Sequence, residues 1–203
     1  MDRLLIREAL RHLKAADRVF SPLIKKHGPC TITPAVNNPF HALASSIISQ
    51  QLSVHAARTI KGRLFHLLGE DSFTPANILR ISARDLHAAG LSGAKTGYIR
   101  GLAAAFKNGE FDFAAIAKYG DEEAVAQLMV FAGIGRWTAE MFLIFGLGRP
   151  DVLSVHDAGL RRAIKMLYDL KEMPAAAEMM VIGEPWRPYR SVASWYLWRA
   201  ADG

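Results

Sequence analysis

Hydrophobic residues recur along the chain with the three- to four-residue spacing of amphipathic helices, and no segment shows the sustained alternation that marks strands. Together with the capping and turn residues, this pattern predicts twelve helices. Their predicted ranges are 2–14, 17–27, 39–51, 54–68, 75–80, 83–89, 94–107, 122–131, 136–147, 157–169, 174–182 and 188–200. Because the sequence has no repeat of fixed period, we expect an all-α globular fold rather than a solenoid.

The composition is that of a globular protein with a preference for anionic partners. Lys and Arg number 25 against 19 Asp and Glu, so the net charge is +6, which favours nucleic acid first and an anionic membrane second. Apolar runs such as MFLIFGL are too short to cross a bilayer. Cys30 is the single cysteine, which excludes an internal disulfide and a four-cysteine iron–sulfur cluster. The start, MDRLLIREALRHLK, is not a secretory signal, and we expect a cytoplasmic location.

The segment FAGIGRWTAE, residues 131–140, places two glycines in the turn between two predicted helices. Gly133 and Gly135 expose backbone N–H groups where the next helix begins, an arrangement that binds phosphate. Arg136 and Thr138 add a positive charge and a hydroxyl group. The apolar residues expected to anchor the turn are Leu128, Phe131 and Ile134. The alternative is an ordinary helical hairpin ended by a glycine, but the second glycine favours phosphate binding.

Asp157 is the strongest candidate for a catalytic carboxylate. It heads the predicted helix DAGLRRAIKML, so its simplest role is that of an N-cap. N–H groups at a helix start also hold an ionised carboxylate, which can stabilise positive charge on a sugar as a base departs, or orient water. We expect Asp151 to be a salt-bridge partner in the loop and Glu140 to be solvated; Glu184 is the third rival. We assign His156 no catalytic role.

The pattern apolar–x–x–apolar–x–Gly–apolar–Gly, followed by Thr138 and Ala139, resembles the helix-hairpin-helix motif, which grips the DNA backbone without reading sequence. With the Gly/Pro-rich loop and Asp157 it resembles the helix-hairpin-helix superfamily of DNA glycosylases. The closing segment WRPYRS and Trp198 narrow the resemblance to the 3-methyladenine DNA glycosylase II type, and it spans nearly the whole chain. His156 departs from the Pro or Asp expected there. The resemblance implies base excision repair by hydrolysis of the N-glycosidic bond of alkylated purines after base flipping.

The resemblance assigns the extruded base to a pocket with two aromatic walls, Trp137 and Trp198. Indole rings attract cationic N-alkylated purines by a cation–π interaction of roughly 1–2 kcal/mol. Trp186, Trp195 and Tyr196 are expected to pack in the core, which is also the alternative role for Trp137. Family members that cut the DNA strand carry a lysine at the position of Trp137, where it forms a Schiff base with the sugar. We therefore expect a monofunctional enzyme that leaves an abasic site.

The segment FHALASSIISQQLSVHAARTI resembles the part of the same family that enters the DNA. It places the wedge that fills the vacated stack at Gln51, with Leu52 beside it, while Gln50 braces the loop. The alternative is that the two glutamines form only a polar helix end. In GLSGAKTGYIRGLAAAF, Lys95 is expected to contact phosphate, and a solvated lysine is the alternative.

The resemblance also implies a monovalent cation, Na⁺ or K⁺, held by the backbone carbonyls of Met129, Phe131 and Ile134. It implies no cofactor for catalysis. The side chains of this segment give no independent sign of such a site.

The joint GLGRPDVLS indicates two helical lobes. Residues 38–150 form a bundle with the wedge and the hairpin, and residues 1–37 with 151–203 form a second lobe with Asp157 and the C-terminal aromatic residues. We expect a monomer that binds double-stranded DNA containing damaged bases in a cleft between the lobes. The alternatives are a glycosylase for deaminated or oxidised purines, a non-catalytic helix-hairpin-helix module that binds DNA, and, third, a helical enzyme acting on small molecules.

Overall fold

The structure, a computed structural model, describes residues 1–69 and 73–201. Over these residues it contains thirteen α-helices, a 3-10 turn at Glu184–Trp186 and no strand, which confirms the all-α prediction. The helices are α1 (Arg3–Ala16), α2 (Phe20–His27), α3 (Pro39–Ser49), α4 (Val54–Leu68), α5 (Pro75–Arg80), α6 (Ala83–Ala88), α7 (Gly93–Lys107), α8 (Phe113–Lys118), α9 (Asp121–Leu128), α10 (Arg136–Phe145), α11 (Ala158–Leu167), α12 (Ala176–Gly183) and α13 (Arg190–Ala201). Within the described ranges, no helix combines the length and the apolar character that crossing a membrane requires.

Side-chain caps explain where most of these helices begin. Each capping side chain accepts a hydrogen bond from a backbone N–H two or three residues further on, which satisfies a donor that the helix itself cannot pair. The capping residues are Asp2, Asn38, Ser53, Thr74, Ser82, Ser92, Asp112 and Asp157. The positions of the helix starts therefore follow from residues that are visible in the sequence.

Two differences from the predicted helices matter for the site. Helix α8 has no counterpart among the predicted twelve, although Asp112 caps it by accepting the Ala115 N–H at 2.9 Å. Helix α3 ends at Ser49, earlier than predicted, because Gln51 has a φ of 55°, which a right-handed helix does not accommodate. Both glutamines of the QQLS segment consequently lie in a loop.

The chain divides into two compact units, Ala35–Phe142 and Met1–Pro34 with Leu143–Gly203. The sequence predicts boundaries after residues 37 and 150. In the structure the first boundary follows Pro34, and the second follows Phe142, inside α10. The end of α10 belongs with the later residues because the rings of Phe145 and Trp198 are 5.7 Å apart.

The unit Ala35–Phe142 is built around α7, which packs against α3, α5 and α6. On α3 the fully buried side chains Phe40, Leu43 and Ile47 recur every three or four residues and form one apolar face. The Phe40 ring lies edge-on to Phe106 of α7, with ring centroids 5.4 Å apart. This packing brings the loop after α3 and the start of α7 together.

In the other unit, α13 packs against α11 and α2 and is buried over residues 191–197. Its Tyr196 hydroxyl donates to the Gly28 carbonyl at 2.7 Å. Nearby, the Asp17 carboxylate accepts hydrogen bonds from the Tyr168 hydroxyl and from Trp186 Nε1. Burial and the neighbouring Asp17 carboxylate raise the pKa of Tyr168. These partly buried polar contacts fix the orientation of the helices that carry Asp157 and Trp198.

Candidate functional site

Buried apolar side chains anchor the turn between α9 and α10. Leu128 is fully buried and Ile134 is 4% exposed, while Phe131 is half-buried with its ring 5.5 Å from that of Phe111. The Ile134 N–H closes the turn by donating to the Phe131 carbonyl at 3.1 Å. The predicted anchoring role of these residues is confirmed.

The two glycines of the turn differ in what requires them. Gly133 has a φ of 84°, and a Cβ at this position would overlap the Tyr98 ring, so the fold itself demands glycine here. At Gly135, apart from its own chain neighbours, no atom of the described residues lies within 4 Å of the position of a Cβ. Nothing within the described chain therefore requires Gly135 for space, and its backbone is open to an approaching molecule.

Arg136 and Thr138, at the start of α10, are already engaged with other residues. The Arg136 guanidinium donates to both carboxylate oxygens of Glu122, at 3.1 and 2.7 Å, and lies 3.6 Å from Glu140. This hydrogen bonding with Glu122 raises the pKa of Arg136 and lowers that of Glu122. The expectation that Glu140 is solvated is wrong: it is 6% exposed, and the Arg136 guanidinium one turn earlier lies against its carboxylate. Phosphate contacts by Arg136 and Thr138 stay predictions.

The predicted wedge is an exposed loop with an unusual backbone. Gln51 is exposed, with a positive φ, and Leu52 is 38% exposed. Gln50 is held instead: its Nε2 donates to the Gly133 carbonyl at 2.7 Å and to Thr138 Oγ1 at 2.8 Å. Gln50 thus braces the loop as expected, through its hydrogen bonds to the hairpin residues Gly133 and Thr138.

Lys95 lies at the other side of the same loop. Its Nζ donates to the carbonyls of Ile48 and Gln50, each at 2.7 Å. Burial lowers the pKa of Lys95. The side chain therefore caps the carboxyl end of α3, a contact that sequence reasoning missed because its acceptors are more than 40 residues away. A phosphate contact by Lys95 stays a prediction.

The carbonyls proposed to hold a cation lie at the end of α9 and in the turn that follows. Met129 is the C-cap of α9, where the helix dipole is negative. The Phe131 carbonyl accepts the Ile134 N–H, which occupies one of its two acceptor positions. Neutral carbonyl oxygens suit a hard monovalent cation, so the donor set of Met129, Phe131 and Ile134 fits Na⁺ or K⁺. Among the described residues, no group of three or more His, Cys, Asp and Glu side chains is arranged to hold a metal ion.

The loop that delivers Asp157 is tied to the start of α13. The Asp151 carboxylate accepts hydrogen bonds from Arg190 Nε at 2.7 Å and from Arg187 Nη1 at 2.9 Å. Ser191 donates its N–H to the Pro150 carbonyl and accepts the Val152 N–H, both at 2.9 Å. The prediction that Asp151 is a loop salt-bridge partner is confirmed. The WRPYRS segment thus fixes the path of the chain towards Asp157.

Asp157 is a buried carboxylate held in one orientation. It is 8% exposed, and its Oδ1 accepts the Leu160 N–H at 2.7 Å and the Trp198 Nε1–H at 2.9 Å. Its own N–H donates to the Ser154 carbonyl at 3.0 Å. The carboxylate is therefore an N-cap of α11, as expected, and in addition the partner of an indole from α13. His156 beside it is exposed.

Gly159 is a residue of this site that sequence reasoning missed. A Cβ there would lie 3.1 Å from Asp157 Oδ1 and 3.2 Å from Trp198 Cδ1, which is closer than most side chains approach. The signal was available in DAGLRRA, since a glycine in the first turn of a helix weakens that helix unless something must approach it closely.

The aromatic residues singled out in the sequence fall into a buried group and a half-buried group. Trp186, Trp195 and Tyr196 are 0%, 8% and 0% exposed, which confirms that they pack in the core. Trp137 is half-buried in the first turn of α10. Trp198 is also half-buried, with one face towards Phe145 and its N–H towards Asp157. The assignment of Trp137 and Trp198 to a base pocket stays a prediction.

Comparison with known proteins places these features in one family. Residues 44–188 match the family model described as HhH-GPD superfamily base excision DNA repair protein. The Schizosaccharomyces pombe protein named Alkylbase DNA glycosidase-like protein mag2 is 34% identical over 197 residues, which cover 95% of this chain and 92% of that protein. DNA-3-methyladenine glycosylase 1 of the same organism is 30% identical over 94% of this chain and 85% of that protein.

The fold is also that of a solved relative. The structure of Schizosaccharomyces pombe 3-methyladenine DNA glycosylase (Mag1) in complex with abasic DNA superposes with a TM-score of 0.85, at 30% identity, over 95% of each chain. The range that matches the family model contains the predicted wedge at Gln51, the hairpin and Asp157, while Trp198 lies beyond its end.

Proposed function

The chain belongs to the HhH-GPD superfamily of base excision DNA repair proteins, and we propose that it is a DNA glycosylase that hydrolyses the N-glycosidic bond of alkylated purines and leaves an abasic site. The observation that carries this proposal is the Asp157 carboxylate, which is buried and fixed by the Leu160 N–H and the Trp198 indole. The relatives named as 3-methyladenine glycosylases support the substrate class.

The carboxylate supplies the chemistry. As the bond between the sugar C1′ and the base lengthens, positive charge develops on the sugar, and a nearby fixed carboxylate stabilises it. The two donors on Oδ1 set the direction of the Asp157 carboxylate in advance, so no reorganisation is needed during the reaction. Water supplies the hydroxyl group that ends on C1′, and its second proton passes to the solvent. An N-alkylated purine is cationic in the nucleotide and leaves as a neutral base, so the step requires no proton from an acid such as His156.

Trp137 and Trp198 are the two residues proposed to contact the extruded base. Trp137 and Trp198 are both half-buried, so each has ring surface for a base to contact. A cationic purine is held against indole faces by cation–π attraction, and Trp198 at the same time holds Asp157. The pocket wall and the catalytic carboxylate are thereby linked through one side chain.

The hairpin and the wedge supply the contact with DNA. Gly135 has open space above its backbone, which suits a phosphate oxygen at the start of α10. Arg136 is the side-chain candidate for a further phosphate contact, because Thr138 is 1% exposed and the Lys95 ammonium already binds the Ile48 and Gln50 carbonyls. The carbonyls of Met129, Phe131 and Ile134 would hold a monovalent cation, whose positive charge would attract the same phosphate. Gln51 and Leu52, both exposed, fill the space left by the extruded base.

We propose that the enzyme is monofunctional. The hairpin helix α10, RWTAEMFLIF, has Trp137 where strand-cutting relatives carry the nucleophilic lysine, and it contains no lysine elsewhere. Without an amine to form a Schiff base with the sugar, cleavage of the strand has no nucleophile at this position.

The test is the incubation of the protein with duplex DNA treated with a methylating agent, followed by identification of the released bases. We expect free 3-methyladenine and other N-alkylated purines, strand breaks only after alkali, and no protein–DNA adduct after borohydride. Release of deaminated or oxidised purines alone would favour the second candidate activity. DNA binding without any release would favour a binding module, and an efficient trapped adduct would contradict the monofunctional mechanism.

A further inference from the structure

Helix α7 touches both parts of its unit that are proposed to contact DNA. At its first turn, Lys95 Nζ donates to the Ile48 and Gln50 carbonyls that flank the start of the wedge loop. One turn later, the Tyr98 ring occupies the space beside Gly133 of the hairpin turn, where no Cβ could fit. The wedge loop and the hairpin turn are therefore both positioned by one rigid helix.

Gln50 joins the two parts directly. Its backbone carbonyl accepts the Lys95 ammonium, while its side chain donates to Gly133 and Thr138 of the hairpin. Thr138 is 1% exposed and Gln50 is half-buried, so this hydrogen bond is partly shielded from water, where losing a partner is costly. A continuous chain of contacts thus runs from α7 through the wedge loop to the hairpin.

The loop tip needs such support. Gln51 is a non-glycine residue with a φ of 55°, a conformation that costs of order 1–3 kcal/mol and persists only where the surroundings impose it. Without such support Gln51, the residue proposed to enter the DNA stack, would relax to a more common backbone conformation. The anchors on Gln50 immediately precede this strained residue.

We propose that Lys95 and Gln50 are positioning residues that couple the hairpin to the wedge: they hold Gln51 in its insertion conformation relative to the turn that grips the DNA backbone. This inference rests on the proposed function, because it concerns how the same enzyme extrudes a base. In this proposal Lys95 acts by holding the wedge loop in place. If Lys95 instead contacted a phosphate, it would contribute to sequence-independent binding of DNA. The two roles predict different salt dependence.

The test compares Lys95→Met and Gln50→Met with Lys107→Met. Lys107 is an exposed lysine at the last residue of the same helix, so its replacement removes the same charge without touching the loop. Wedge insertion is measured by the fluorescence of 2-aminopurine placed beside a stable abasic-site analogue in duplex DNA. Because this readout needs no excision, it remains informative even if the wild-type protein releases no methylated base.

We expect Lys95→Met and Gln50→Met to lower the equilibrium constant for wedge insertion about 10-fold, as the loss of two hydrogen bonds implies. The slope of log affinity against log salt for undamaged DNA should match that of Lys107→Met. Lys107→Met should insert its wedge as the wild type does. Melting curves select folded variants, and Thr138→Val, which removes one acceptor of the Gln50 amide, replaces Gln50→Met if that variant does not fold.

Two results would overturn the coupling. One is wild-type fluorescence in Lys95→Met together with a salt slope shallower by about 0.9 than that of Lys107→Met, the signature of a lost phosphate contact. The other is wild-type fluorescence in folded Gln50→Met or Thr138→Val. Failure of the wild-type protein to release methylated bases, with the fluorescence differences intact, would count against the proposed substrate and leave the coupling supported.

Discussion

Replacing Trp198 with Phe removes one hydrogen-bond donor from the Asp157 carboxylate and keeps an aromatic ring in the proposed pocket. The donor is Nε1, 2.9 Å from Oδ1 of a carboxylate that is 8% exposed. Hydrogen bonds to charged groups contribute about 1.5–3 kcal/mol, and about 1.4 kcal/mol corresponds to a factor of ten. If that contact orients Asp157 in the transition state, excision by Trp198→Phe should slow about 10- to 100-fold.

The assay is single-turnover excision from a duplex that carries one N-alkylated purine, with a melting curve for each variant. Trp195→Phe is the control, because Trp195 lies on the same helix and is 8% exposed, whereas its ring contacts the Arg199 guanidinium, 5.0 Å from the ring centroid. Equal slowing by both substitutions would mean that packing, and not the contact with Asp157, explains the loss. A wild-type rate in Trp198→Phe would refute the orienting role outright.

Two further predictions concern the hairpin and the pH dependence of stability. Gly133→Ala should destabilise the protein by more than about 1 kcal/mol, since the new side chain combines a positive φ with overlap on Tyr98. Gly135→Val should melt like the wild type and weaken binding to all DNA sequences equally. Equal melting temperatures of the two variants would contradict this difference. The raised pKa of Tyr168 means that its neutral form is favoured in the folded state. The resulting contribution to the stability of the fold is present below about pH 10 and is lost as the pH rises towards the folded-state pKa. Tyr168→Phe should flatten the fall in melting temperature above pH 10, and an unchanged alkaline profile would contradict the role of burial and Asp17.

The helices and their starts could be predicted because the signals are local. Amphipathic spacing and capping residues lie within each segment, and only α8 was missed, since six residues between Asp112 and Tyr119 carry less than two turns of pattern. Burial of Glu140 was also missed, although Arg136 one turn earlier was a visible sign of an ion pair.

The sequence names the candidate residues of the site, but not the contacts that the structure gives them. Asp157 is recognisable as an N-cap after an irregular loop, but its hydrogen bond with Trp198 joins residues 41 positions apart. Lys95 looks like a surface cation in the sequence, and its carbonyl acceptors come from the end of another helix. Such partners depend on tertiary packing, which local patterns do not specify. The same holds for the boundary between the units, which lies inside a continuous helix.

The central claim is that the charge of Asp157 drives base release, and the direct measurement is single-turnover excision by Asp157→Asn. An Asn oxygen can still accept the Leu160 N–H, so the helix cap and the melting temperature should be nearly unchanged. Asp112→Asn is the matched control, because Asp112 caps α8 in the same way by accepting the Ala115 N–H. Loss of one preorganised electrostatic partner should reduce the rate of excision by about 10²–10³ in Asp157→Asn, with Asp112→Asn at the wild-type rate. Excision by folded Asp157→Asn at the rate of Asp112→Asn would contradict the account and leave Asp157 as a helix cap.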